Sequence, residues 1–176
     1  MPADPSDVFI DATVFMGMHS GDQAVRRACK RFFIDRLAGG VTLSWEQVGR
    51  CDDLVWGYAR DVQDAYYPFM DVLHTEMAIA RVGYTEEDTR LAFTTTALDG
   101  LPSHERLLLG QVLSRSGLLY TASPRLTGRT GLPVAAVPAA PGTAAEGAEA
   151  AEDVFPDHLE KLYQDSLVLV VDSHTL

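Results

Sequence analysis

An aspartate, Asp11, follows directly on Val8, Phe9 and Ile10 and precedes Ala12, Thr13, Val14 and Phe15. Three consecutive apolar residues rich in β-formers predict a strand buried on both faces, as in a parallel sheet. Such a strand delivers the residue at its carboxyl end to the crevice where open α/β sheets bind ligands. A carboxylate there has three possible occupations: metal ligand, nucleophile, or cap of the helix that begins near Val14. Capping alone is worth about 1 kcal/mol and needs no chemistry. His104 beside Glu105 offers a proton carrier, or simply the polar start of a helix. The five histidines are scattered, and Cys29 and Cys51 sit in helix-like stretches without metal-ligand spacing, as buried thiols do.

The elements that must hold Asp11 alternate along the chain. Helical spacing over 22–38 stops at Gly39 and Gly40, and a short strand is expected over 41–44. Helices follow over 45–57 and 59–81, the second with a break or kink at Pro68. Thr85 to Asp88 resembles a capping box opening a helix through Leu98, and Ser103 caps the next helix, which stops at Gly117. Strands are expected over 118–121 and 134–137. Alternating strands and helices predict an α/β fold with a mainly parallel sheet, occupying residues 1–138. Residues 139–153 are rich in Ala, Gly, Pro and Glu and read as a flexible linker. Residues 154–176 then form a helix–strand appendage. The five aliphatic residues 167–171 must be covered by the domain's own sheet edge or by another molecule, so a homodimer or protein partner is expected there.

The 176 residues include 47% hydrophobic ones, enough for a core, and carry a net charge of −11. Eight acids against Lys161 alone in residues 139–176 account for most of that charge. No apolar run approaches the ~20 residues of a membrane span, and the first residues are acidic, so a cytoplasmic protein is expected. One helix concentrates basic residues. Arg26, Arg27, Lys30 and Arg31 form a stripe that suits RNA phosphates, although a solvated helix face is the commoner explanation of such a stripe. The overall acidity argues against tight nonspecific nucleic-acid binding. Among the aromatic residues most belong to the core, with the run from Tyr66 to Phe69 a candidate exposed partner surface.

The run Asp11-Ala12-Thr13-Val14-Phe15 resembles the opening motif of PIN domains, in which a strand-ending aspartate is followed two residues later by Asn, Ser or Thr. Residues 41–44 with the helix behind them, and residues 101–121, resemble later units of that family. The resemblance covers residues 7–138. It implies a three-layer α/β/α sandwich with a carboxylate cluster at the sheet's C-terminal edge, holding Mg²⁺ or Mn²⁺ to hydrolyse RNA. Carried over position by position, Asp11 matches the first acid, and Glu105 the acid that opens the late helix. Thr13 and Thr121 are supporting hydroxyls.

Two positions depart from the pattern. The acid expected in the second helix falls near Arg50, with Glu46, Asp52 and Asp53 close in sequence, and the last position is Ser123. An arginine at position 50 suggests pairing with Asp11 or Glu105 in place of a metal. The expected function is therefore a divergent PIN-like protein with weakened or lost nuclease activity, acting through protein binding. The alternatives are a Mg²⁺/Mn²⁺-dependent ribonuclease using Asp11, Glu105, Asp52 and Asp53 as ligands and, more remotely, a haloacid-dehalogenase-like hydrolase with Asp11 as nucleophile.

Overall fold

The computed structural model describes residues 7–141, 153–172 and 175. Five strands, β1 (Val8–Ile10), β2 (Val41–Ser44), β3 (Ile79–Val82), β4 (Leu118–Thr121) and β5 (Val134–Ala136), form one all-parallel sheet in the order β3-β2-β1-β4-β5. β1 lies at the centre, with Phe9 in register with Thr42 on one side and Leu119 on the other. That position explains its unbroken apolar run, since side chains on both faces meet helices.

The helices are α1 (Ala12–Phe15), α2 (Gln23–Arg36), α3 (Trp45–Trp56), α4 (Arg60–Glu76), α5 (Glu86–Thr94), α6 (Ser103–Ser114), α7 (Pro124–Thr127) and α8 (Asp157–Ser166). Short 3-10 turns occupy Met16–His19 and Thr96–Leu98. The fold is a three-layer α/β/α sandwich. Phe9 and Leu119 pack with Leu108, Leu109 and Val112 of α6 in one core. Ile10, Val41 and Leu43 belong to a larger core that includes Phe33, Phe69 and Leu73. α5 and α6 cross closely at Gly110, where a Cβ would lie 2.2 Å from the Asp88 carbonyl oxygen. Asp88 completes the capping box with Thr85 and accepts a hydrogen bond from the Ser114 hydroxyl of α6.

Several expectations are corrected. The stretch 59–81 is not one helix. α4 ends at Glu76, and Ile79 to Val82 form edge strand β3, which takes its partners residue for residue from β2. α4 runs through Pro68 without a break, because Tyr66, Phe69 and Leu73 on either side of it are fully buried. The same burial removes Tyr66 and Phe69 from any partner surface. Ser103 is the first residue of α6 rather than its cap, which is Pro102.

The C-terminal segment is also different from its expected form. Residues 167–171 do not join the sheet; Val171 alone forms a bridge, to Ser20, donating its N–H to His19 O at 2.8 Å. Leu169 and Val171 point inward and are buried, whereas Val168 and Val170 are exposed. Phe155, Leu159 and Tyr163 of the same segment lie in the larger core beside α4. Each such side chain contributes about 1.5–3 kcal/mol by leaving water. Of the expected linker, residues 142–152 lie outside the described residues.

The basic stripe of α2 is the seat of this segment. Arg27 and Arg31 both bond the carboxylate of Asp153 at 3.2 Å, and Lys30 pairs with Glu160 at 3.0 Å. Lys30 is 2% exposed and also stands over the Tyr163 ring at 4.7 Å. Arg26 bonds the Ser20 carbonyl. The stripe expected to face phosphates is thus turned toward the chain's own acids.

His19 is sealed where the segment closes. Its Nε2 is 2.8 Å from the Ser166 hydroxyl, and Tyr66, Phe69 and Tyr163 surround the ring. Burial pushes the imidazole down to about 3, with the Arg26 charge adding to the effect. A neutral histidine that protonates only on unfolding stabilises the fold above the ordinary histidine range and withdraws that stability as pH falls. Between pH 6.5 and pH 5 the wild-type protein is expected to lose about 2 kcal/mol more than His19→Gln. Urea unfolding at the two pH values measures the difference; equal losses would show that His19 does not govern the acid limb.

Candidate functional site

Asp11 ends β1 and caps α1. Its Oδ1 accepts from the N–H groups of Thr13 (3.0 Å) and Val14 (3.3 Å) and from the Thr13 hydroxyl (2.5 Å). Its Oδ2 accepts from the Thr121 hydroxyl at the end of β4, also at 2.5 Å. The two hydroxyls in turn accept from the next turn of chain, Thr13 Oγ1 from the Ala122 N–H (2.9 Å) and Thr121 Oγ1 from the Ser123 N–H (3.0 Å). One carboxylate therefore fixes the ends of two adjacent strands and the turn that leads into α7. Asp11 is 4% exposed, and burial raises its carboxyl above the usual carboxylate range against the opposing pull of these donors.

The crevice beside Asp11 has about 20 Å³ of free volume, room for a water-sized occupant. Glu105, Arg50, His104, Gln47 and Ser123 line it with Asp11 and Thr13. Glu105 stands in the first turn of α6. Its Oε1 receives both Nε (3.0 Å) and Nη2 (2.7 Å) of Arg125, and its Oε2 is buried with no hydrogen-bond partner among the described residues. α3 presents Gln47 and Arg50 to the crevice, one turn apart. Gln47 accepts the Ala12 N–H at 2.8 Å and so fastens α3 to the end of β1.

The structure brings Asp11, Glu105, Thr13, Thr121, Arg50 and Ser123 to one edge of the sheet, as expected. Asp52 and Asp53 are not part of the crevice. Asp52 faces α4, where its charge acts on His74 and Tyr67, and Asp53 is exposed one turn beyond Arg50. Glu46 is held by the Tyr84 hydroxyl at 2.6 Å. The pairing expected of Arg50 is absent among the described residues: Arg125 neutralises Glu105, and threonine hydroxyls satisfy Asp11. Sequence reasoning missed Arg125 and Gln47. Arg125 follows Ser123 by two residues in a Pro/Gly/Arg loop whose course the sequence leaves open. Gln47 lies three residues after the Ser44 cap, a place where a polar side chain ordinarily points to solvent. Cys29 and Cys51 are buried thiols as expected, with burial raising Cys29 to about 12.

A family of unknown function, DUF6190, matches the chain over residues 1–176. The chain belongs to the DUF6190 family. No curated protein matches it. Membership of DUF6190 attaches no activity to the crevice, so its chemistry has to be judged from the residues in it. Among the described residues of this DUF6190 member no helix is long and apolar enough to cross a membrane, and no three His, Cys, Asp or Glu side chains are grouped as metal ligands.

The hydroxyl clamp on Asp11 yields a direct test. Thr121→Val keeps the shape of a fully buried side chain but removes the donor to Asp11 Oδ2 and the acceptor for Ser123 N–H. A loss of about 2–3 kcal/mol is expected at neutral pH. A raised folded-state carboxyl favours the fold below the ordinary aspartate range and works against it as pH rises through the raised value. The Thr121→Val deficit should therefore shrink as pH falls from neutral toward about 4. Denaturant unfolding at several pH values checks this, and a deficit that grows on acidification would contradict it.

Proposed function

We propose that this chain is a PIN-like domain that has given up metal-dependent cleavage and acts by binding a protein partner. The observation that carries the reading is Arg50, a guanidinium at the crevice position where the PIN resemblance calls for a third carboxylate. The two remaining acids support it. Asp11 accepts four hydrogen bonds from the fold itself, and Glu105 is neutralised by Arg125. Mg²⁺ and Mn²⁺ are hard cations that need several converging oxygens and a net negative site. Two carboxylates balanced by two guanidinium groups do not fit such an ion. A nucleophilic role for Asp11 is disfavoured on the same ground, because both carboxylate oxygens already serve as acceptors in a closed position.

The surface for a partner is the outer edge of residues 167–171. Val168 and Val170 are 59% and 53% exposed there, and Trp56 is 70% exposed at the end of α3. Tyr58, two residues beyond Trp56, donates its hydroxyl to the Val170 carbonyl at 2.8 Å and ties the two regions together. Tryptophan is among the usual anchors of protein interfaces, and the two valines extend the apolar area beside it. A homodimer through the same edge is included in this proposal.

The ribonuclease reading keeps one specific point in its favour, the unpartnered Glu105 Oε2 beside Asp11. The deciding experiment is RNA cleavage by the wild-type protein in Mg²⁺ and in Mn²⁺, run beside Asp11→Asn, with calorimetric titration of Mn²⁺. No metal-dependent cleavage and no saturable Mn²⁺ binding are expected. Cleavage that needs the metal and disappears in Asp11→Asn would overturn the proposal.

A further inference from the structure

On the far side of Thr13 and Ser123 from Glu105 lies a second, larger cavity of about 420 Å³, within the range of small-molecule sites. Met16, Gly17, Val25, Pro124 and Val171 give it an apolar wall. Across Val25, Ala122 and Pro124 it adjoins a further space of about 240 Å³ that reaches Ala28, Cys29 and Val137. Together they form a half-enclosed trough between α2 and the β4–α7 turn.

The polar side chains that line the cavity are the hydroxyls of Thr13, Ser20 and Ser123 and the guanidinium of Arg125. In a chain with 25 acids to 14 lysines and arginines, no acid lines it among the described residues, and the one ionisable residue among them is Arg125. Arg125 spends Nε and Nη2 on Glu105, while Nη1 bonds no described residue. The Ser20 hydroxyl accepts from the Asp22 N–H at 3.1 Å and has no acceptor of its own among the described residues. The Ser123 hydroxyl makes no hydrogen bond with any described residue. Arg125 and the two serines thus add donors to the lining of an otherwise largely apolar trough, a set complementary to an acceptor-only head group. The Glu105 carboxylate already cancels much of the Arg125 charge, so a single negative charge suits this lining better than two.

We propose that this trough binds a small amphipathic monocarboxylate, with its carboxylate on Arg125 Nη1 and the Ser20 and Ser123 hydroxyls and its alkyl body along Met16, Val25 and Pro124. The head-to-tail geometry fits a medium-chain acid, whose tail can run from the larger space into the smaller one. The assignment holds whether or not the neighbouring crevice binds a metal, so the cleavage experiment and this one fail independently.

Calorimetry on the full chain with decanoate below its micellar concentration tests the assignment, with decanol, decyl phosphate and inorganic phosphate as comparisons. Decanoate is expected to bind at one site per chain, at least about tenfold more tightly than decanol, as a charge-assisted contact requires. Inorganic phosphate should not bind. Arg125→Gln should abolish the preference for decanoate over decanol. Glu105→Gln provides the converse, because it releases Arg125 from its partner and should tighten decanoate several-fold. Both variants are to be confirmed as folded by circular dichroism. No saturable decanoate binding, equal affinity for decanol, tighter binding of decyl phosphate, or an unchanged affinity in a folded Glu105→Gln would each overturn the proposal.

Discussion

A carboxylate buried at the end of a central strand must find donors for both oxygens, and in this chain the search for donors organises the whole edge of the sheet. Asp11 takes the hydroxyls of Thr13 and Thr121, and those hydroxyls, turned inward, leave their lone pairs for the N–H groups of Ala122 and Ser123. The turn so fixed aims Arg125 at Glu105. Four side chains from three parts of the sequence are thereby set by one buried carboxylate. The cost of its burial is visible in its raised carboxyl, which the surrounding donors reduce without cancelling.

This arrangement also separates two environments that share a wall. On one side of Thr13 and Ser123 is a narrow crevice where acids and guanidinium groups balance each other. On the other is a wider trough where, among the described residues, the charge belongs to Arg125. Arg125 stands at the boundary and takes part in both.

The central sheet was legible because its strands are short, apolar and bounded by glycine or capping residues. β1, β2, β4 and β5, with α2, α3 and α6, follow from local pattern, whereas α7 falls in a stretch that reads as a loop. β3 was not, since Ile79-Ala80-Arg81-Val82 carries no clear alternation and continues the helical composition before it. Only pairing with β2 makes it a strand. Pro68 misled for the same reason, as packing around Tyr66 and Phe69 outweighs the local cost of a proline. In the site, Asp11, Thr13, Thr121 and Glu105 could be found because each ends or begins a recognisable element. Arg125 and Gln47 could not, because their partners are distant in sequence. The basic stripe on α2 was seen, but the acids that cover it lie more than a hundred residues later.

The position of the last described segment has a consequence for how the chain is made. Phe155, Leu159, Tyr163, Leu169 and Val171 complete a core whose other buried members all precede residue 80, and Asp153 and Glu160 of the same segment supply the counter-charges on α2. A ribosome delivers residues in order, so the apolar face of α4 and the Lys30 ammonium wait for their covering until residues 153–171 have been made. Completion of the larger core is thereby deferred until that segment has left the ribosome. A polypeptide released early would present that open face to other proteins, and quality control would meet it as an unfinished product.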